Sequence, residues 1–183
     1  MPSSIRASAI VLVAGLCLGN PSLSQSCEAR TPTPETDPGP HDFSVAPAAT
    51  SLWREGDDGE PLFLHARVLD TCGKGVKGAH IRMLHANQDG EHDANRWRTH
   101  LTTGDAGEFK VVTVYPGYAG YLARHIHFII SHPDYRTLVT RLFFKNDPAI
   151  DQSIEDLAIV VEEIQRGDNK GWIGGYEFVL APK

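Results

Sequence analysis

The feature that most constrains this chain is the spacing of its short apolar runs. From Pro61 onward, stretches that alternate apolar and polar residues recur at even intervals, separated by glycine-containing turns. Pro61–Asp70 is such a run, closed by Cys72-Gly-Lys-Gly75; Val76–Ala86 follows, with Ala79, Ile81 and Met83 on one side, closed by Asn87-Gln-Asp-Gly90. Leu101–Val114 reads as two strands around a tight Asp105-Ala-Gly107 turn, and Thr137–Phe144, Ala158–Ile164 and Trp172–Leu180 continue the pattern, the last two separated by a polar turn over Gln165–Gly171. Alternation with period two places successive side chains on opposite faces of a strand, and short strands in this rhythm predict an all-β sandwich. One segment, Asn146–Leu157, predicts a short helix: Pro148 suits a first turn, and Ile150, Ile154 and Leu157 share a face. The 183 residues, 41% hydrophobic, suffice for one core and argue against a second globular domain.

The two ends of the pattern have a different character. Met1–Ser24 carries a lone Arg6, an apolar run Ala7–Leu18 and small residues at Ser22 and Ser24, the pattern of a secretory signal peptide cleaved near Ser24. The run is too short for a membrane span, and Ala14-Gly-Leu16 before Cys17 lacks the small residue a lipoprotein signal needs. The reading is therefore an exported, secreted or periplasmic protein with no membrane span. Residues 25–58 are rich in Pro, Thr and acid without apolar periodicity and read as an extended arm, and the domain proper runs from 59 to 183. The formal net charge is −6, one unit more negative once Arg6 leaves, which opposes binding to nucleic acid or anionic membrane. Cys17 leaves with the leader, and the remaining even pair in an exported chain predicts a Cys27–Cys72 disulfide tying the arm to the turn after the first strand.

Chemistry concentrates between Thr113 and Phe128, where Tyr115-Pro-Gly-Tyr118 precedes His125-Ile-His-Phe128. On a strand His125 and His127 project to one side and Ile126 and Phe128 to the other, so two imidazoles converge on one point. The Pro116-Gly117 turn can fold the tyrosines back toward it. This is a metal site on a β scaffold. His65, His80, His85, His100 and His132 read as surface or hydrogen-bonded residues, and Trp97, Phe109, Phe128 and Trp172 as core.

These segments carry a resemblance. Gly59-Glu-Pro-Leu-Phe-Leu-His-Ala-Arg-Val-Leu-Asp70, Gly75-Val-Lys-Gly-Ala-His-Ile-Arg-Met-Leu-His-Ala-Asn87, Thr102-Thr-Gly-Asp-Ala-Gly-Glu-Phe109, Tyr115-Pro-Gly-Tyr118, His125-Ile-His-Phe128 and Leu142-Phe-Phe-Lys-Asn-Asp-Pro148 resemble, in the same order, the intradiol ring-cleavage dioxygenases, the family of the catechol and protocatechuate dioxygenases. The resemblance implies a β-sandwich holding non-haem Fe(III) on two tyrosines and two histidines, which inserts both atoms of O2 between the two hydroxyl-bearing carbons of a catechol-like aromatic. Carried over by position, His125 and His127 match the paired histidine ligands. Tyr118 is the best match to the tyrosine after the turn, with Tyr121 as the fallback, because secreted members place that tyrosine one residue later, where this chain has Ala119. The family's other tyrosine falls on His92. The arginine three residues before the first histidine falls on Leu122, and a glutamine falls on Arg141; Arg124 or Arg141 could take over the task of stabilising substrate-derived charge.

The expected metal set is thus His92, Tyr118, His125 and His127, with Arg124, Arg141 and Tyr121 as catalytic candidates. A tyrosinate oxygen suits Fe(III), while imidazole suits iron, copper and zinc alike, so replacing one tyrosine by His92 leaves copper or zinc as the alternative cofactor. The function classes that follow are an exported oxygenase with a small catechol-like substrate and O2, or a copper- or zinc-binding sandwich with a changed ligand set. A purely structural sandwich is the third. Self-association to a homo-oligomer is compatible with each.

Overall fold

The computed structural model describes residues 27–39, 46–93, 95–118, 120–145, 147–166 and 169–183. The leader assigned to Met1–Ser24 lies outside these, as do Ala119 and Asn146. No helix among the described residues is long and apolar enough to cross a membrane.

Nine strands occur among the described residues: β1 Pro61–Asp70, β2 His80–His85, β3 Arg98–Thr102, β4 Glu108–Val114, β5 His125–His132, β6 Tyr135–Phe144, β7 Ala158–Ile159, β8 Val161–Arg166 and β9 Asn169–Leu180. They form a four-stranded sheet, β4-β1-β9-β8, and a five-stranded sheet, β3-β2-β5-β6-β7. The all-β sandwich expected from the spacing is the observed fold. In β1, Leu62, Leu64, Ala66 and Val68 turn inward while His65 and Arg67 face out. On β5 the inward set is Ile126, Phe128 and Ile130, all fully buried. Phe109 of β4, Phe128 of β5 and Phe178 of β9 meet across the sandwich, with Phe128 and Phe178 ring centres 4.9 Å apart and Phe109 and Phe178 stacked at 6.2 Å. Burying one such ring contributes about 1.5–3 kcal/mol, so this triangle fixes which face of β5 points inward.

The helix expected over Asn146–Leu157 does not form across the described residues 147–157; the helical structure there is a single 3-10 turn, Glu155–Leu157. Two aspartates explain it. Asp147 accepts a hydrogen bond from the Ala149 amide at 2.9 Å and Asp151 one from the Ser153 amide at 2.7 Å, local bonds that compete with a helical ladder. The shared apolar face survives, since Ile150, Ile154 and Leu157 pack with Ala123, Phe143 and Ala158. The Val76–Ala86 strand is also shorter than its sequence suggests. Val76 instead donates to Val68 O at 2.8 Å, and the chain turns at Gly78 (φ +75°) before β2 begins.

The arm is bonded to both sheets. Thr33 donates its amide to Val179 O at 2.9 Å and takes the Val179 amide on its hydroxyl at 2.8 Å, while the Thr36 amide donates to Val139 O at 2.9 Å. Further on, the His100 amide donates to Pro47 O at 3.2 Å and the Leu52 amide to Val112 O at 2.7 Å. These contacts cover the free sides of β9, β6, β3 and β4, strand edges that would otherwise present unpaired backbone groups. Cys27 and Cys72 face each other with Cα atoms 5.4 Å apart, within the range a disulfide spans.

Candidate metal centre

With the phenylalanine triangle holding its inward face, β5 turns His125 and His127 to the opposite side. Both are nearly buried, 7% and 2% exposed, and their Nε2 atoms lie 3.0 Å apart. The His125 Nδ1 lies 2.7 Å from Ala123 O, a carbonyl that can only accept, so Nδ1 carries the proton and Nε2 presents its lone pair. The neighbouring Nε2–H of His127 then donates to it. An ion bound at about 2.0–2.1 Å from each nitrogen would replace that shared proton, and the 3.0 Å separation suits two adjacent ligands of one ion.

The register places the neighbours. His127 is flanked by Leu84 of β2 and Arg141 of β6, and His125 by Phe143. Arg124, next in the chain to His125, has its amide on Asp147 Oδ2 at 3.0 Å, and Asp147 itself is buried. The Arg124 guanidinium lies 4.1 Å from the centre of the Tyr118 ring and 5.4 Å from that of Tyr115. Burial pushes the Tyr115 phenol above its usual range, and the charge and hydrogen bond of Arg124 oppose that rise. Behind the pair, His85 is fully enclosed between the sheets, its Nδ1 2.7 Å from Ala86 O and its Nε2 2.6 Å from the Thr113 hydroxyl. Desolvation pushes it down to about 4, with a smaller contribution from His92 and His125.

His92 stands outside the pair. It is exposed, at the end of a loop closed by Asn87, whose side-chain oxygen accepts the amides of Asp89 and Glu91, and its ring centre is 6.3 Å from that of His127. Among the described residues no three His, Cys, Asp or Glu side chains gather around one point, so the expected meeting of three imidazoles is, in this structure, a meeting of two. The reason lies in the support: a pleated strand holds His125 and His127, a surface loop His92. What joins that loop to the tyrosine turn is Gly117, whose amide donates to Asn87 O at 2.8 Å; a Cβ there would fall 2.2 Å from Gln88 O. Tyr118 is 37% exposed beneath Arg124. Tyr121 is 91% exposed and Leu122, where the family carries an arginine, 39%. Three residues near the site have places that the sequence reading left unassigned, although His85 was expected to be surface or hydrogen-bonded and is hydrogen-bonded. His85 continues the inward series of Ala79, Ile81 and Met83, and a histidine at that parity was the available signal. Tyr115 and Asp147 gave none beyond proximity.

A family profile described as Dioxygenase (Dioxygenase_C) matches residues 39–181. The chain is similar to catechol 1,2-dioxygenase of Pseudomonas sp. (strain EST1001), 30% identical over 146 residues that cover 63% of this chain and 48% of that protein. It is also similar to hydroxyquinol 1,2-dioxygenase of Rhizobium sp. (strain MTP-10005), 28% identical over 180 residues, 76% of this chain and 61% of the relative. The chain spans about half the length of the curated relatives it matches. Among solved structures it resembles the dioxygenase domain of a dioxygenase carbohydrate-binding protein fusion from the cellulolytic bacterium Streptomyces sp. SirexAA-E. That match has a TM-score of 0.72 and 28% identity, covering 84% of this chain and 100% of that one. Sandwich, histidine pair and tyrosine turn thus coincide with a profile match across most of the chain: it belongs to the intradiol ring-cleavage dioxygenase family.

Proposed function

We propose that this protein is an exported, Fe(III)-dependent dioxygenase that cleaves a catechol-like aromatic diol between its hydroxyl-bearing carbons with O2. The observation that carries the reading is the pair of buried Nε2 atoms 3.0 Å apart on β5. Iron bound there supplies the centre at which an ionised diol and O2 meet. The chain's own residues supply the rest. His125 and His127 provide two nitrogen donors, the first held in its Nδ1–H form by Ala123 O. Tyr118 and His92, on the two loops locked together at Gly117, are the residues that would complete the set. Arg124 and Arg141, flanking the pair along the chain and across the sheet, place positive charge where the diol oxygens become anionic. The leader-like Met1–Ser24 and the Cys27–Cys72 pair support export to an oxidising compartment.

A copper- or zinc-binding protein without ring cleavage is the second reading, favoured by one observation: residue 92 is a histidine with its ring 6.3 Å from that of His127, which makes the surroundings rich in imidazole. Oxygen uptake with a panel of catechols, on protein loaded separately with iron and with copper, decides between them. The expected outcome is uptake with the iron form, raised in His92→Tyr, and a visible absorption of the iron form that Tyr118→Phe bleaches. His125→Ala and His127→Ala should each lose the metal and keep the β spectrum in circular dichroism. No uptake by either metal form or by His92→Tyr would favour the second reading, and retained stoichiometric metal in both alanine variants would place the site elsewhere.

A further inference from the structure

We infer that Tyr115 and Trp172 form a relay that carries oxidising equivalents from the metal centre to the surface at Glu60, so that peroxide reduced at the centre oxidises one expendable indole instead of the histidine ligands. This goes beyond the ring-cleavage reading and needs only a redox-active ion at the β5 pair. The path is a continuous stack. The Arg124 guanidinium lies against both Tyr118 and Tyr115, 4.1 Å and 5.4 Å from their ring centres, and the Tyr115 ring is stacked on that of Trp172 at 5.3 Å with 29° between the planes. Phe144 holds Tyr115 edge-on at 4.8 Å. At the far end the Trp172 indole N–H donates to Glu60 Oε2 at 2.5 Å, and that carboxylate is 40% exposed. The other two tryptophans are placed differently: Trp53 gives its N–H to a backbone carbonyl, Gly59 O at 3.3 Å, and Trp97 is 5% exposed beneath the Arg96 guanidinium.

Direction follows from where protons can go, since an indole or phenol gives up an electron readily only when its proton leaves as well. Tyr115 is half-buried, and the group bonded to its phenol is Arg124, which can only donate. Trp172 instead faces a carboxylate in a charge-assisted hydrogen bond. Lys170, 4.7 Å from the Trp172 ring centre, opposes positive charge on the indole, so the proton passes to Glu60 and the oxidised ring stays neutral. Sulfur side chains, common targets of oxidants, do not stand in the way: Met83 is 1% exposed in the core, and Cys27 and Cys72 lie in the arm and in the turn after β1. The chemistry balances with hydrogen peroxide as the oxidant. Two electrons leave the indole one at a time through Tyr115, the O–O bond breaks, and with two protons its oxygens become two waters. One water adds to the electron-poor indole, which releases two protons, the first to Glu60. Net, indole and peroxide become hydroxyindole and water.

The test is peptide mapping by mass spectrometry after brief hydrogen peroxide treatment of the full chain, loaded separately with iron, copper and zinc, the last of which occupies the pair without exchanging electrons. In the iron or copper form one added oxygen is expected at Trp172 and only background at Trp53, which is half-exposed like Trp172; the zinc form should show no such preference. Tyr115→Phe, which keeps the ring and the stack but not the oxidisable phenol, should lose the mark at residue 172 and gain oxidation at His125 or His127. Trp172→Phe should stop the oxidation at Tyr115, and Glu60→Gln, which keeps a hydrogen-bond acceptor and loses the base, should lower the yield at Trp172. Circular dichroism and metal content check that each variant folds and is loaded. Equal marks at Trp53 and Trp172 would show attack by diffusing radicals and overturn the relay, as would an undiminished mark in Tyr115→Phe, the same mark in the zinc form, or a chain that retains neither iron nor copper. Tyr115-dependent oxidation of Trp172 in protein that takes up no oxygen with catechols would leave the relay standing and remove only the ring-cleavage reading.

Discussion

His85 shows how much a single residue can do away from the ligands. It sits on the core face of β2, hydrogen-bonded to Ala86 O and to Thr113 of the opposite sheet, and desolvation holds it neutral down to about pH 4. In the unfolded chain the same imidazole takes a proton near 6.5. Its folded value is depressed, so the unfolded state binds more protons as pH falls. The stability tied to a neutral His85 is therefore fully present above about 6.5 and is lost between there and about 4, at about 1.4 kcal/mol per pH unit. Urea unfolding at pH 7 and pH 5 checks this: the wild type should lose stability across the interval, and His85→Gln, with no charge to gain, should lose markedly less. An identical slope in both would show that His85 is already accessible to protons in the folded state. The neighbouring pair was legible in sequence because alternation along a strand dictates it. For His85 the parity with Ala79, Ile81 and Met83 pointed inward, but the partner that satisfies it, Thr113 of the opposite sheet, leaves no trace in the sequence.

At the scale of elements, the site is a strand and two loops with unequal support. β5 is paired on both sides, by β2 and β6, and its register follows from an alternation visible in the residues themselves. The loops are positioned by contacts distant in sequence. Asn87 closes the first, and Gly117 brings the second against it so tightly that a Cβ would fall 2.2 Å from Gln88 O and 2.6 Å from Gly90 N. Since the obstructing atoms are backbone, Gly117→Ala should cost about 1–3 kcal/mol. It should also weaken metal binding, because residue 92 and Tyr118 would be pushed apart. A shifted urea midpoint together with reduced metal content is the expected result; a shifted midpoint at full stoichiometry would mean that the two loops do not share the ion. The same contrast explains the helix expected over Asn146–Leu157. Its apolar spacing was readable, but the Asp147 side chain is committed to the Arg124 and Ala149 amides, and a carboxylate that joins two distant segments leaves no periodic trace in the sequence.

For the whole molecule, the arm decides how the two sheets are held together. Thr33 and Thr36 link β9 to β6, while Pro47, Ala49 and Leu52 link β3 to β4, so opposite sides of the sandwich are clasped by chain that, in its described residues, forms no helix or named strand of its own. The composition of residues 25–58 shows why it is extended, with prolines that forbid helix and few apolar side chains. It cannot show where the arm lies, because those bonds are made by backbone groups that every residue carries. A disulfide between Cys27 and Cys72, whose Cα atoms lie 5.4 Å apart, would anchor the first half of this clasp. Cys27 and Cys72 are 45 residues apart, and closing a loop of that size in the unfolded chain corresponds to about 4 kcal/mol by the loop-entropy relation. The double variant Cys27→Ser/Cys72→Ser should therefore lose on that order of stability. Because the arm is bonded to β9 and β6 through scattered hydrogen bonds and the exposed Arg30–Glu177 ion pair, it should also become cleavable by protease between 28 and 36 while the sandwich persists. Intact mass with and without reductant, on protein recovered from an oxidising compartment, tests the bond itself and shows whether the mature chain begins near Gln25. Two free thiols there, or a double variant as stable as the wild type, would mean that the arm is held by its hydrogen bonds and the Arg30–Glu177 ion pair without a covalent tie.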